Sequence, residues 1–187
     1  MSRTVAKLIA AYGEWWDPHA VEWGSQGAGN QGRLEGIEKG SRGLTIDIWD
    51  QRGIYVLFQD WSVMYVGKTG NQPLGRRLKQ HRADDVAGRW DRFSWFGVRN
   101  INADGSLGAT PLPSRQVRAP DVIATLEAVL IRVTTPSLNH RRESIPEAKL
   151  LVQPAPPARP LRAYLAGIEQ ELEQIRTLVT QAGTPST

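Results

Sequence analysis

The spacing of hydrophobic and polar positions changes several times along the chain, and each change predicts a different element. Residues 3–12 repeat apolar side chains every three or four positions, which predicts an N-terminal helix. Residues 24–43 hold seven glycines in twenty positions, which favours a loop. Residues 44–49 alternate with a period of two, which predicts a short edge strand.

The middle of the chain predicts a hairpin, a helix and a third strand, in that order. Residues 53–58 and 63–67 are rich in β-branched and aromatic side chains, and the polar tip at Asp60 joins them as a hairpin. Good helix formers follow over residues 74–87, and residues 93–98 have the composition of another strand. A second helix is predicted over residues 121–134.

The C-terminal part of the chain changes composition again. Residues 153–160 are rich in proline, which predicts an extended linker. Apolar residues of 161–179 then recur in steps of four and three, typical of an amphipathic helix that either pairs two chains or docks on its own domain. The predicted organisation is an N-terminal extension, a central domain, a linker, and a C-terminal helix with a disordered tail, over residues 1–50, 51–152, 153–160 and 161–187.

Composition narrows the chemistry that the chain can carry. The 187 residues include no cysteine, which excludes disulfides, a thiolate metal site and a thiol nucleophile. Apolar runs stay well short of the ~20 residues of a membrane helix, and the start of the chain lacks a secretory apolar core. We therefore expect a cytoplasmic protein without a membrane partner.

Positive charge is concentrated in the middle of the chain. Residues 51–99 hold nine basic and four acidic side chains, whereas residues 1–50 hold five basic and seven acidic ones. A cationic patch of this kind is typical of a protein that binds a polyanion such as nucleic acid. The alternative is a solvated basic face without a partner.

Several polar side chains fall on positions that are predicted to pack together. A hairpin loop of odd length centred on Asp60 would place Tyr55 directly opposite Tyr65 on one face of the sheet. Arg77 and His81 are four residues apart, so they are neighbours on one face of the first helix. Taken alone, a tyrosine pair is usually packing and a single histidine is usually a satisfied core residue.

The second helix carries a carboxylate at the edge of its apolar side. Glu127 borders a predicted core stripe formed by Val122, Ile123, Leu126, Val129, Leu130 and Val133. A carboxylate in such a position is costly to bury unless it is paired or bound to a metal. Asn139 follows the helix, twelve residues after Glu127.

These residues resemble the GIY-YIG nucleases in type and order. Gly53-Ile54-Tyr55 and Tyr65-Val66-Gly67 are similar to the two signatures that name the family, with valine in place of isoleucine in the second. The resemblance spans residues 53–140 and continues through Arg77, His81, Glu127 and Asn139. The short interval between the last two favours the restriction-endonuclease branch. The expected fold class is α/β (α+β): a small, mainly antiparallel three-stranded sheet flanked by helices, with helical extensions at both ends.

The resemblance implies an endonuclease that hydrolyses phosphodiester bonds, most simply in DNA, with RNA as an alternative substrate, and with one Mg²⁺ or Mn²⁺ ion. Tyr55 is then the candidate general base, assisted by the cations Lys68 and Arg77, and His81 is the alternative base. Glu127 would anchor the metal. Arg77 would also hold and neutralise the phosphoryl oxygens. Tyr65 would orient the nucleophile or contact phosphate, and Asn139 would bind phosphate or buttress the site.

Further cations are candidates for nucleic-acid binding, and they are Arg76, Lys79, Arg82, Arg89, Arg92, Arg141 and Arg142. The main rival interpretation is a module on the same scaffold that binds nucleic acid without cleaving it. The C-terminal helix adds the possibility of a homodimer.

Overall fold

A computed structural model of the chain describes residues 8–25, 31–41, 43–109, 119–138, 144–155 and 176. The chain divides into two compact units, Met1–Pro154 and Ala155–Thr187, and the described residues of the second are Ala155 and Arg176. The described part of the first unit contains seven strands: β1 Ala11–Trp16, β2 Glu35–Glu38, β3 Thr45–Asp47, β4 Gly53–Gln59, β5 Ser62–Lys68, β6 Arg92–Gly97 and β7 Lys149–Val152. Its described α-helices are α1, Leu74–Gln80, and α2, Ala119–Thr134, and a 3-10 turn spans Pro18–Ala20.

All seven strands belong to one mixed sheet with the order β3-β2-β7-β1-β6-β4-β5. β1 and β7 are parallel, and the other neighbours are antiparallel. The three predicted strands are present side by side as β6, β4 and β5. The expectation of a small three-stranded sheet is nevertheless wrong, because the N-terminal segment and β7 continue the sheet beyond β6 by four more strands.

The predicted N-terminal helix is also wrong where the structure describes it. Ala11 and Tyr12, the last residues of that pattern, lie in β1 and pair with Gly97 and Phe96 of β6. Both are almost completely buried, and β7 covers the other edge of the strand. Pairing on both edges satisfies the backbone of β1 and overrides the helical spacing of its side chains. Residues 3–7 lie outside the described part of the chain.

The other predicted elements differ in how well they agree with the structure. The first helix ends at Gln80 instead of residue 87, and residues 81–88 form turns. The second helix is present as α2. β3 forms an outer edge of the sheet, as the alternation over residues 44–49 predicts. β2 lies within the glycine-rich segment that was expected to be a loop.

The two helices pack on opposite faces of the sheet. Side chains alternate between the faces along a strand, so Tyr55 and its partner Trp95 point to the first face, and Phe96 points to the second. On the first face, Leu74 and Leu78 of α1 join the buried cluster that contains Tyr55 and Trp95. On the second face, Ala128 and Val129 of α2 join a separate buried cluster with Phe96.

Close packing fixes α1 on the first face. A Cβ atom built at Gly75 would overlap the ring of Trp49, so glycine is what allows the helix to approach that ring. The backbone N–H groups of Leu74 and Gly75 donate to the carbonyl oxygens of Gln51 and Trp49 at 2.9 and 3.0 Å. The segment that precedes β4 therefore holds the start of α1.

The buried side of α2 overlaps only in part with the predicted stripe, of which Val129 is buried as predicted. Ile123, Leu126 and Leu130 were expected in the core, but their exposed fractions are 65%, 56% and 59%. The buried side instead includes Arg132, whose Nη1 donates to Glu14 Oε1 at 2.9 Å. This ion pair links the buried side of α2 to β1. No helix in the described part of the chain is long and apolar enough to cross a membrane.

Candidate active site

The hairpin of β4 and β5 places Tyr55 and Tyr65 on the first face of the sheet, as predicted, but two positions out of register. Tyr55 is opposite Gly67, and Tyr65 is opposite Leu57. The expected direct opposition is wrong for two reasons. The turn between the strands is two residues long, Asp60-Trp61, instead of odd, and the pairing shifts by one further position between Leu57 and Phe58, where β5 carries an extra residue. The two tyrosine rings still lie diagonally adjacent, with centroids 6.2 Å apart.

His81, immediately after α1, meets both tyrosines. Its ring centroid lies 5.5 Å from that of Tyr55 and 4.9 Å from that of Tyr65. The Tyr55 hydroxyl and His81 Nε2 are 2.7 Å apart and form a buried hydrogen bond. The structure therefore joins Tyr55, Tyr65 and His81, which are separated in sequence, into one cluster.

A carboxylate that sequence analysis missed completes this cluster. His81 Nδ1 lies 2.7 Å from Asp84 Oδ2, and the other oxygen of Asp84 accepts from the backbone N–H of Val86 at 3.1 Å. The signal was available in part, because Asp84 is three residues after His81. The predicted helix extended to residue 87, whereas in the structure the segment after Gln80 forms turns in which the carboxylate reaches the imidazole.

The environment of Tyr55 favours its neutral phenol. The side chain is completely buried, and this burial raises its pKa above the usual value near 10. The charge of Arg77 acts in the opposite direction, while Tyr65 raises the pKa further, and the net change is upward. The nearby cation thus does not produce a standing phenolate.

An open cleft of about 700 Å³ adjoins this cluster. Its walls include Tyr65, Gly67, Lys68 and Arg77, so one hydroxyl and two cations face the same space. A Cβ atom at Gly67 would overlap the hydroxyl of Tyr55. The missing side chain at Gly67 therefore brings the buried Tyr55 hydroxyl up against the wall of the cleft.

Arg77 lies one helical turn before His81 and lines the cleft. Its backbone carbonyl accepts from the N–H of His81 at 3.3 Å, which places the two residues one helical turn apart. One guanidinium nitrogen, Nη1, donates to Gln80 Oε1 at 2.7 Å and is thereby oriented. The side chain is half-buried and lines the cleft. A guanidinium held in this way can bind phosphoryl oxygens through its planar fork.

Glu127 does not join the site. It lies on the exposed side of α2. α2 packs against the second face of the sheet, whereas Tyr55, Tyr65 and His81 lie on the first face. The sheet thus separates the carboxylate from the tyrosine hydroxyls, and the expected convergence is absent from this arrangement.

The residues at the cleft do not form a carboxylate-rich metal site. Glu127 lies on the helix that covers the opposite face of the sheet, so it cannot hold a cation at the cleft. Asp84 already accepts hydrogen bonds from His81 and Val86. Among the described residues, no group of three or more His, Asp or Glu side chains is arranged to hold a metal ion. The metal ligand set that the family resemblance implies therefore does not fit this site as it stands.

The other predicted nucleic-acid ligands divide into three groups. Arg76 and Arg89 are exposed. Three further cations have contacts within the protein. Lys79 donates to the carbonyl oxygens of Gly24 and Ser25. Arg82 lies 5.1 Å above the Trp23 ring, and Arg92 donates to the Asp91 carbonyl oxygen. Asn139, Arg141, Arg142 and residues 161–175 and 177–179 of the predicted C-terminal helix lie outside the described residues.

No family model matches the chain, and neither the curated proteins nor the solved structures contain a detectably similar relative.

Proposed function

We propose that this protein hydrolyses phosphodiester bonds in DNA at the cleft beside β5. The observation that carries the proposal is the 2.7 Å hydrogen bond between the Tyr55 hydroxyl and His81 Nε2. This hydrogen bond lies behind Gly67 in the cleft wall, and Lys68 and Arg77 line the same cleft. A proton acceptor beside two cations suits the attack of water on an anionic phosphodiester.

The buried phenol can act without prior ionisation. As water attacks phosphorus, its proton passes to the Tyr55 oxygen while the phenolic proton passes to His81 Nε2. Burial raises the pKa of Tyr55, which makes this coupled transfer more favourable than a free phenolate. The breaking P–O bond leaves its electron pair on the departing oxygen, which takes a proton from solvent.

The cations of the cleft supply the charge stabilisation in this scheme. Arg77 is held by Gln80 and binds the non-bridging phosphoryl oxygens as charge accumulates on them. Lys68 is exposed at the end of β5 and contacts an adjacent phosphate. Tyr65 lines the same wall and orients the attacking water.

DNA is the proposed substrate because of the charge around the cleft. The excess of basic side chains over residues 51–99 includes Lys68, Arg76 and Arg77, which lie on β5 and α1 next to the site. Phosphates along a strand interact with such a patch regardless of base sequence. RNA presents the same backbone charge and is therefore a comparison substrate.

The deciding experiment incubates the full chain with duplex DNA, single-stranded DNA and RNA of mixed sequence. Each substrate is tested with Mg²⁺, with Mn²⁺ and with EDTA, so that the expected cation requirement is measured independently of any assigned ligand. Cleavage that is lost in Tyr55→Phe and Arg77→Ala supports the proposal. If the folded protein cuts none of the three substrates, the proposal is wrong.

Binding of nucleic acid without cleavage is the second candidate function. The specific observation in its favour is the separation of Glu127 from the cleft by the sheet. This function predicts salt-dependent DNA binding that is unaffected by EDTA, together with intact substrate after prolonged incubation.

A further inference from the structure

We propose that Asp84 is a positioning residue that fixes the proton on Nδ1 of His81 and thereby makes Nε2 the acceptor for the Tyr55 proton. This inference rests on the proposed hydrolysis for its catalytic consequence, but its structural part concerns the imidazole alone. The two contacts that support it are both 2.7 Å long, one from Asp84 Oδ2 to Nδ1 and one from the Tyr55 hydroxyl to Nε2.

The direction of these hydrogen bonds follows from the chemistry of the partners. An ionised carboxylate can only accept, so Nδ1 of His81 must donate to Asp84. In the neutral imidazole the second nitrogen, Nε2, is then an acceptor. The neutral phenol of Tyr55 therefore donates to Nε2, and both lone pairs of its oxygen remain directed away from the imidazole. The phenol oxygen thus keeps its acceptor capacity on the side of Arg77 and Gly67, where the proton of the attacking water has to arrive.

Among the described residues, Asp84 is the carboxylate that contacts the His81 ring. Tyr55 of β4 and Tyr65 of β5 contact it with their rings, and Arg77 of α1 is the neighbouring cation. Trp90 donates from its indole nitrogen to the backbone carbonyl of His81 at 3.1 Å and so holds the main chain. The imidazole is therefore oriented from both sides.

The carboxylate also stabilises the product of proton transfer. Once His81 has received the phenolic proton, both ring nitrogens carry hydrogen, and the imidazolium forms a charge-assisted bond to Asp84. The His81 side chain is 4% exposed, whereas that of Asp84 is 42% exposed. The acceptor is buried while the carboxylate stays hydrated, and the imidazolium can return its proton to solvent after each turnover.

The test compares Asp84→Asn with Asp85→Asn in the full chain. Asp85 is the adjacent, exposed carboxylate, so its substitution makes the same change in charge. Nitrogen-15 NMR of the histidine rings, assigned with His81→Gln, reads the tautomer without any substrate. We expect the Nδ1–H form in the wild type and in Asp85→Asn. In Asp84→Asn, the amide can donate to Nδ1, and we expect a shift toward the Nε2–H form.

The kinetic part of the test uses the rate of DNA cleavage. Asp84→Asn should lower kcat by at least about tenfold, with little change in KM, because the phenol loses its acceptor. Asp85→Asn should match the wild type in both measurements.

The possible outcomes separate this inference from the proposed function. An Nε2–H tautomer in the wild type, or an unchanged tautomer in Asp84→Asn, overturns it. A switched tautomer with unchanged kcat in an active enzyme overturns the catalytic consequence. A switched tautomer in a protein that cuts no nucleic acid supports the positioning role of Asp84 and contradicts the hydrolytic function.

Discussion

Tyr55 and Glu127 lie on opposite faces of one β-sheet, the first against α1 and the second on the solvent side of α2. In the nucleases that the sequence resembles, the corresponding glutamate is expected to anchor the metal at the tyrosine site. Here the sheet lies between Glu127 and Tyr55, so the effect of replacing Glu127 on DNA cleavage tests this placement directly.

We expect Glu127→Gln to cleave DNA at the wild-type rate within about twofold, because a side chain without contact to the reacting groups contributes little to the transition state. Arg77→Ala, measured in parallel, should be strongly impaired. The measurement is the initial rate in Mg²⁺ and in Mn²⁺. A loss of 100-fold or more in Glu127→Gln, with an unchanged melting temperature, would contradict the placement of α2.

The ion pair between Arg132 and Glu14 provides an independent test of where α2 docks. The two side chains are 8% and 12% exposed, and Arg132 also lies 4.8 Å above the ring of Tyr12. Removing one partner leaves a buried charge uncompensated, so Arg132→Ala should lower the free energy of unfolding by about 3–5 kcal/mol.

Urea denaturation of Arg132→Ala, Glu14→Ala and the double variant measures this coupling. The double variant should lose clearly less stability than the sum of the single variants, because neither charge remains. Additive losses would show that the two side chains do not interact, and α2 would then not be anchored to β1.

Gly67 should tolerate no side chain. In Gly67→Ala the new methyl group would overlap the hydroxyl of Tyr55, which must move away from His81. Overpacking of this kind costs about 1–3 kcal/mol of stability, and cleavage should fall sharply. Gly108→Ala is the matched control, because the nearest atoms to its Cβ are at 3.6 Å, an ordinary contact distance. Equal melting temperatures and equal activities for both variants would be inconsistent with the described packing.

The raised pKa of Tyr55 predicts a loss of stability at alkaline pH. The native state holds the phenolic proton more tightly than the unfolded chain, so the free energy of unfolding falls as the pH rises above about 10. Between the unfolded and native pKa values, one such group contributes a slope of up to about 1.4 kcal/mol per pH unit.

Tyr55→Phe should therefore flatten the decline in stability between pH 9.5 and 11. Burial also raises the pKa of Tyr12, so Tyr12→Phe should remove a second, separate part of the same decline. Urea titrations at several pH values would measure both. A Tyr55→Phe variant as sensitive to alkali as the wild type would contradict the buried phenol.

Arg77 and its neighbour Arg76 form a natural pair for testing the cleft. Arg77 lines the cleft, whereas Arg76 is exposed on α1 and does not. We expect Arg77→Ala to reduce kcat by about 100-fold or more, the effect of losing a donor to the transition-state oxygens. Arg76→Ala should mainly weaken binding and lower its salt dependence. Similar kinetic defects in the two variants would place the phosphate elsewhere.

The hairpin and both helices followed from local patterns because their signals are local. The strands around Tyr55 and Tyr65 are rich in β-branched and aromatic residues, and the turn at Asp60 separates them. The predicted register was wrong by two residues, because the two-residue turn contributes one position and the bulge the other, and alternation encodes neither.

The outer half of the sheet was missed for a different reason. β1 and β7 are adjacent, yet they are more than 130 residues apart in sequence, as the pairing of Ala11 with Lys149 illustrates. Short strands of this kind are stabilised mainly by pairing with neighbouring strands. Gly13 in β1 and Gly36 in β2 further weaken the intrinsic preference of these segments for a β-strand. The buried side of α2 was mistaken because Arg132 takes a core position through its pairing with Glu14.

The position of β7 between β1 and β2 has a consequence for biosynthesis. β1 and β2 emerge early, but they cannot join until the chain has been made as far as Val152. Nascent or truncated chains that stop before Lys149 expose two unpaired strand edges, which are templates for association with other chains. Synthesis of β7 therefore closes the gap between β1 and β2 and removes both of these edges.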